Sequence, residues 1–358
     1  MKILLVTESW DLTTGPTETP YPFYRAILER LGHEVRVVDP RRNRLPMGGP
    51  TTYYLPKLLR VFGARPLNQA LMNRALLRQA RAWRPDLILL FKAENVFSRT
   101  IATLRAETGA TLFNWSLDSP FWPGNTSMQL LRSLPLYHGF GVLGKHFVPV
   151  LYACGCEHVE YVPMFFNVER MPPDIAVSAA DRARFACDVL FVGVGNRERA
   201  DRLRRLAEMN IDLAVWGNWS AVSLAPGDPL RRCLRGGYLD GRAYAKALKC
   251  CRVAVNFLQV QCRGANNIRT FEVPGCGAFL LTEYSREQAE ELMTDGRDLV
   301  CYHGADDLRA KLQYYLEHPA ERDAIAAAGQ ARVLREHTLE HRLRQITDWA
   351  AAQRERAS

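Results

Sequence analysis

The chain reads as an α/β protein of two doubly wound, Rossmann-like domains facing a cleft, and three observations carry that reading. Short apolar runs alternate with amphipathic helical stretches in two successive series. Most of the runs are apolar on consecutive residues, the mark of strands buried on both faces of a parallel sheet. Between the series, 168–184 holds Pro172-Pro173, small residues and mixed charge, the composition of an interdomain linker. A length of 358 residues is natural for two such domains. The expected boundaries are 1–167 for the first, 168–184 for the linker and 185–337 for the second.

In the first series the expected strands are 3–7, 34–38, 86–91, 111–115, 139–143 and 159–163. Helices are expected over 22–31, 67–83, 99–108 and 145–154. The first of these stops at Gly32, a normal left-handed helix end. In 67–83, Met72, Leu76, Ala80 and Trp83 share one face, and Arg74, Arg78 and Arg81 share the opposite one. In the second series strands are expected over 188–192, 213–216, 253–257, 279–282 and 299–302. Its helices are expected over 199–209, 242–250, 285–294, 306–317 and 319–335. A last helix, 339–351, follows Thr338, a suitable N-cap.

Composition narrows the function classes. The chain is 47% hydrophobic and 24% charged, as a globular protein is, and has no apolar run of membrane-spanning length. Met1-Lys2-Ile3-Leu4-Leu5-Val6-Thr7 has too few apolar residues for a signal peptide and reads as a first strand. The nine cysteines are scattered, with Cys250 and Cys251 adjacent and Cys154 and Cys156 too close for a Cys-x-x-Cys pair. A cytoplasmic location with reduced thiols is expected.

The formal net charge is +9, and it is unevenly placed: 36–105 holds fourteen Lys and Arg against three acids, Asp39, Asp86 and Glu94. Such a half suits an anionic acceptor or an anionic membrane surface, giving a peripheral place at the inner face of a membrane. Tyr53, Tyr54, Leu58, Leu59, Val61 and Phe62, beside Lys57 and Arg60, either insert among headgroups or pack inside the domain. A nucleic-acid partner is not expected.

The most informative motif is Gly264-Ala-Asn-Asn-Ile-Arg-Thr-Phe-Glu272-Val-Pro-Gly-Cys-Gly277, followed by the apolar run to Thr282. It reads as a turn, a short helix carrying Arg269 and Glu272, and a Gly-Cys-Gly stop before a strand. A helix N-terminus favours an anion. A carboxylate one turn further in can accept from a ribose diol, and an arginine fork can grip a diphosphate. Asn267 lies in the loop that leads into this helix. The ordinary alternative is that Glu272 is a solvated helix acid.

The Arg-Thr-Phe-Glu run, the Gly-Cys-Gly stop and the strand resemble the donor-site signature of the CgeB-like, spore-maturation-type glycosyltransferases of the GT-B fold. The likeness continues through Asp298-Leu-Val-Cys-Tyr302, His318-Pro319, Glu321-Arg322, Ala328-Gly329 and His337-Thr338. It is strong over 185–345 and thin before that. The resemblance implies a GT-B-like architecture in which 338–358 crosses back to the N-terminal domain. It also implies a nucleotide-diphosphate sugar as donor, bound by the second domain. One departure stands out: many retaining GT-B enzymes carry a second Glu eight residues before the ribose-binding one, and here that position is Gly264.

Three other strand ends carry candidates. Phe191-Val-Gly193-Val-Gly195-Asn196-Arg197-Glu-Arg199 follows the first strand of the second series, where glycines let backbone N–H groups approach a phosphate and Arg197 or Arg199 neutralises it. Of the two arginines, Arg197 reads as the better placed. A dinucleotide fingerprint fails, since the third glycine is missing and the next strand ends in Trp216-Gly-Asn rather than an acid. Trp216 and Trp219 can stack on a base or pin a loop. Asn256 and Gln259 can read a uracil edge or sugar hydroxyls, or can cap a loop; a UDP-linked sugar is the expected donor. In the first domain, Trp115-Ser-Leu-Asp118-Ser-Pro resembles a segment of the same family. Asp118 is the candidate general base for an acceptor hydroxyl, and Glu8 is a second candidate after the first strand.

No metal is expected. His337 and His341 form the one i, i+4 histidine pair and lack the acid of a zincin, and no Asp-x-Asp pair is present to hold an ion on a diphosphate. The sequence therefore points to metal-independent sugar transfer. A sugar-nucleotide epimerase-like enzyme on the same fold and a catalytically silent nucleotide-sugar-binding protein remain as alternatives.

Overall fold

The computed structural model of the chain describes residues 1–6, 21–38, 65–123, 125–262 and 264–357. Among them the chain divides into two compact units, Met1–Pro163 with Arg342–Ser358, and Met164–His341. Glu8 and the segment 53–62, both singled out above, lie outside the described residues. No helix among the described residues is long and apolar enough to cross a membrane.

The first unit is a six-stranded parallel sheet in the order β2-β1-β3-β4-β5-β6. Its strands are β1 Lys2–Val6, β2 Glu34–Val38, β3 Leu87–Phe91, β4 Thr111–Ser116, β5 Gly139–Val142 and β6 Val159–Tyr161. Its helices are α1 Tyr21–Arg30, α2 Arg65–Trp83, α3 Ser98–Thr108, α4 Met128–Ser133 and α5 Phe147–Ala153. The strands read as unbroken apolar runs because helices cover both faces. Leu4, Val6, Ile88, Leu90 and Leu112 meet Met72, Leu76, Ala80 and Trp83 of α2 and Ile101 and Leu104 of α3 on one side. On the other face Phe113 packs edge-on against Trp349, with ring centroids 5.0 Å apart. Trp349 belongs to the last helix, whose residues from Arg342 onward are part of this unit, as the GT-B resemblance implies. It leaves no room for a Cβ at Gly139, which would stand 2.4 Å from the indole.

The second unit repeats the plan, with sheet order β12-β11-β10-β7-β8-β9, all parallel. Its strands are β7 Cys187–Val192, β8 Leu213–Trp216, β9 Leu234–Gly236, β10 Cys251–Asn256, β11 Leu280–Glu283 and β12 Val300–Tyr302. Its helices are α6 Ala179–Phe185, α7 Arg197–Ala207, α8 Gly241–Cys250, α9 Arg269–Gly275, α10 Ala305–Glu317 and α11 Pro319–Glu336. The final helix, α12, spans Leu339–Ala357. Val189, Phe191, Leu203, Leu206, Val253, Val255 and Leu281 form its core. Strand order places the carboxyl ends of β7, β10 and β11 side by side, which is where ligands gather in doubly wound sheets.

Several elements differ from expectation. The stretch 168–184 lies within the second unit, and its end forms α6, started by a capping box between Ser178 and Asp181. Edge strand β9 is three residues, too short to show a periodicity. The helix expected over 285–294 is a π-helical turn, Glu287–Leu292, held by Gln288 and Asn266–Glu287 contacts to the neighbouring loops.

Candidate active site

At the carboxyl edge of the second sheet, α9 starts where Asn267 turns its side chain back along the chain. Its Oδ1 accepts from the backbone N–H of Arg269 at 3.1 Å and of Thr270 at 3.3 Å. The helix is short because Pro274 lies in its last turn and Gly277 follows in the left-handed conformation, φ +77. This places Glu272 inward, 2% exposed. Its Oε2 accepts from Arg269 and its Oε1 accepts from Arg170 Nη1 at 3.1 Å. Arg170 also donates to the Tyr238 hydroxyl at 3.0 Å. The Arg269 guanidinium lies over the Tyr244 ring, 4.6 Å from its centroid, a cation–π contact.

A second arginine stands at the same edge. Asn196 caps α7, its Oδ1 accepting from Arg199 N at 2.8 Å. The Arg199 side chain then folds back, Nη1 donating to Val194 O at 2.8 Å and the guanidinium lying over Phe191. Burial holds the Arg199 guanidinium below its ordinary value, and the neighbouring Arg269 charge pushes the same way. Arg170 and Arg269 thus pair with Glu272, and Arg199 adds a further positive charge near Arg269.

The other sequence candidates fall differently. Arg197, the first residue of α7, is exposed, and Arg199 is the half-buried one beside Arg269. The N–H of Gly193 donates to Trp216 O at 2.9 Å and that of Gly195 to Asn218 O at 2.8 Å. Those two amides are spent on joining adjacent loops and do not point at a ligand. Trp216 is 5% exposed, its ring against Phe185 at 5.5 Å and against the space above Gly236. It is a packing residue and offers no face for stacking; Trp219 is likewise buried, against Phe191. Asn256 exchanges amide hydrogen bonds with Asn267, at 3.2 and 3.0 Å, and donates to Thr282 Oγ1 at 3.0 Å. Both of its amide N–H groups are engaged in tying the α9 loop to β10 and β11. His337 and His341 are also engaged, with Leu292 O and Thr338 respectively.

In the first unit the ends of β3 and β4 carry a compact ionic group. Lys92 pairs with Asp118, the lysine side chain 10% exposed and the aspartate 23%. Glu94 lies two residues beyond Lys92, and its backbone carbonyl accepts from Ser127 Oγ at 2.7 Å. Glu94 Oε2 is closed off from solvent and accepts no hydrogen bond. Burial pushes the Glu94 carboxyl up, Lys92 opposes this, and Asp118 adds to it.

Sequence reasoning missed Arg170, Tyr238, Tyr244, Lys92 and Glu94. Arg170 sat in a stretch read as linker, and the two tyrosines carried no motif. Lys92-Ala93-Glu94 follows an apolar strand directly, and that strand-end position was the available signal. Among the described residues no group of His, Cys, Asp and Glu side chains is placed to hold a metal ion.

The architecture defines the class first. It is the GT-B fold seen in solved structures along the whole chain. Sucrose-phosphate synthase from Thermosynechococcus elongatus superposes with a TM-score of 0.68 at 14% identity, covering 100% of both chains. HepE from Anabaena, solved in complex with UDP-glucose, gives 0.64 at 14% identity over 98% of this chain and 100% of that one. A putative UDP-N-acetylglucosamine 2-epimerase from Listeria monocytogenes gives 0.54 at 12% identity, covering 97% of this chain and 94% of that one. Within the class, residues 197–348 match a family described as glycosyl transferase-like. A segment of 73 residues, 20% of the chain, is 33% identical to spore protein CgeB from Bacillus subtilis (strain 168). The aligned segment spans about a fifth of that curated relative's length, 21%. Both matches fit the CgeB-like resemblance seen in the sequence.

Proposed function

We propose that this chain is a glycosyltransferase that moves a sugar from a nucleotide-diphosphate sugar, UDP-linked, to an acceptor hydroxyl without a metal ion. The observation that carries this reading is the pairing of Arg199 with Arg269 beside buried Glu272 at the carboxyl edge of the second sheet. Glu272 already compensates Arg269, whereas the half-buried Arg199 guanidinium donates to the Val194 carbonyl, and a leaving diphosphate would bring it an anion. In the proposed mechanism Arg199 and Arg269 stabilise the charge that develops as the sugar departs, the task a divalent ion performs elsewhere.

Glu272 is proposed to receive the donor ribose. Each of its oxygens already accepts from one arginine, and a carboxylate oxygen has a second lone pair for a ribose hydroxyl. The acceptor is assigned to the first unit, where Asp118, Lys92 and Glu94 gather and where the exposed Arg74 and Arg78 of α2 favour an anionic partner. The family match over 197–348 and the UDP-glucose complex of HepE support the class of donor.

The fold likeness to the Listeria protein keeps an epimerase-like enzyme as the second reading. Product analysis separates the two. Incubation with UDP-sugars is expected to release UDP; accumulation of an epimeric sugar nucleotide without UDP release would favour the second reading.

A further inference from the structure

We propose that Glu94, rather than Asp118, takes the proton from the acceptor hydroxyl, with Lys92 held to Asp118 beside it. This rests on the glycosyltransferase reading above.

The backbone at the end of β3 is the first observation. Lys92 and Ala93 are consecutive non-glycine residues in the left-handed region, φ +57 and +49. Such a conformation is strained and persists only where its surroundings hold it. Here Lys92 N donates to Trp115 O at 3.0 Å, Ala93 N to Phe91 O at 2.6 Å and Val96 N to Ala93 O at 3.0 Å. The turn sends the Lys92 side chain to Asp118, which follows the end of β4, and carries the chain on to Glu94. Ser127, the N-cap of α4, then holds the Glu94 carbonyl.

The second observation is how the three charges divide. The Asp118 carboxylate is engaged in an ion pair with the Lys92 ammonium group, itself 10% exposed. Glu94 has no such match. One of its oxygens is buried without a hydrogen-bond donor, while the residue as a whole is half-buried. Lys92 and Asp118 are the charged groups that act on it, in opposite senses, with burial the larger influence. A carboxylate raised in this way is a better base near neutral pH than one at its ordinary value, because its proton affinity lies nearer the operating pH.

The step balances without any further reagent. The acceptor O–H bond breaks and its proton passes to the Glu94 carboxylate. The oxygen's electron pair forms the bond to the anomeric carbon, and the bond from that carbon to the diphosphate oxygen breaks, its pair leaving with the nucleoside diphosphate. Glu94 then releases its proton to water.

The test uses the full chain with UDP-glucose as probe and water as acceptor, in wild type, Glu94→Gln, Asp118→Asn and Lys92→Met. UDP binding is measured by calorimetry, UDP release as a function of pH, and the Glu94 carboxyl titration by NMR of carbon-13-labelled glutamate. Glu94→Gln is expected to lower turnover by about 10²–10⁴-fold with UDP affinity unchanged. Asp118→Asn is expected to move the acid limb of the rate profile, and the Glu94 titration, to lower pH. Lys92→Met is expected to move both to higher pH. Normal turnover in Glu94→Gln would overturn the proposal, as would an inactive Asp118→Asn whose Glu94 titration is unmoved. A wild type that binds neither UDP nor UDP-glucose would instead bring down the glycosyltransferase reading, and this proposal with it.

Discussion

Arg170 and Glu272, 102 residues apart in the chain, meet in the second unit with Nη1 of one 3.1 Å from Oε1 of the other. Arg269 occupies the remaining oxygen, so a carboxylate that is 2% exposed sits between two guanidinium groups. Removing one member of a buried ion pair leaves the others uncompensated.

Glu272→Ala is therefore expected to destabilise the second unit by about 3–5 kcal/mol, measured by chemical denaturation. Glu272→Gln keeps the shape and is the cleaner probe of function. It is expected to weaken UDP binding by roughly 1.5–3 kcal/mol, the share of a charge-assisted hydrogen bond. A Gln variant that is stable and binds UDP normally would remove Glu272 from the site.

The arginines make a graded prediction. Arg199→Ala and Arg269→Ala are each expected to weaken UDP far more than uridine, and Lys is expected to rescue only partly because it lacks the planar fork. Arg197→Ala, at an exposed position, is expected to have less than a tenth of their effect on Kd. Equal losses for UDP and uridine in titrations of the first two variants would count against a diphosphate contact.

Most strands and helices were legible because buried parallel strands leave a continuous apolar run that no solvent-facing segment imitates. β2 and β8 match their expected limits, β3, β4 and β5 differ by one residue at an end, and β1 is shifted by one residue. The site was legible in part, for a physical reason. Arg269 and Glu272 lie on one short helix, so spacing alone joins them. The partnership of Arg170 with Glu272, and of Lys92 with Asp118, depends on which strand ends become neighbours, which no local pattern encodes. For Trp216 and Asn256 the sequence left two readings open. A residue at a strand's carboxyl end can face a ligand or lock two loops together, and sequence position does not distinguish these. Here Gly193 and Gly195 donate to the 216–218 loop and Asn256 to Asn267, so both residues serve the scaffold.

Trp216→Phe tests that reassignment. The indole packs on Phe185 and beneath Arg184, so the smaller ring is expected to cost stability through the space it leaves. UDP affinity in the folded variant is expected to stay within about twofold, since RT times the logarithm of two is below half a kcal/mol. A tenfold loss of UDP affinity would restore Trp216 to the ligand.

The raised Glu94 carboxyl predicts a pH dependence of stability. Its ordinary value is 4.5, and in the folded chain burial lifts it. Between those two values the native state binds more protons than the unfolded state, so this group's contribution weakens as pH rises through that window. Glu94→Gln is expected to melt above wild type at pH 7, with the difference gone by about pH 4. An unchanged or lower Tm at pH 7 would contradict the assigned environment.

The basic face of the first unit predicts a salt-sensitive association. Arg74 and Arg78 are exposed on α2, while Arg81 pairs with Glu107 at 2.6 Å. Each basic residue near an anionic leaflet contributes about 1 kcal/mol. Flotation with anionic vesicles is expected at low salt and lost in the Arg74→Glu, Arg78→Glu double variant. Flotation that is indifferent to salt and to those charges would assign the face to a soluble acceptor or to solvent.

The central claim is that the second unit binds a nucleotide-diphosphate sugar through Arg199, Arg269 and Glu272. Calorimetric titration of the full chain with UDP-glucose, UDP and uridine, without added metal and in the presence of a chelator, tests it most directly. Saturable binding of UDP-glucose and UDP, much weaker binding of uridine, and no effect of the chelator are expected. Uridine binding as tightly as UDP, or binding of UDP only when a divalent ion is supplied, would contradict it.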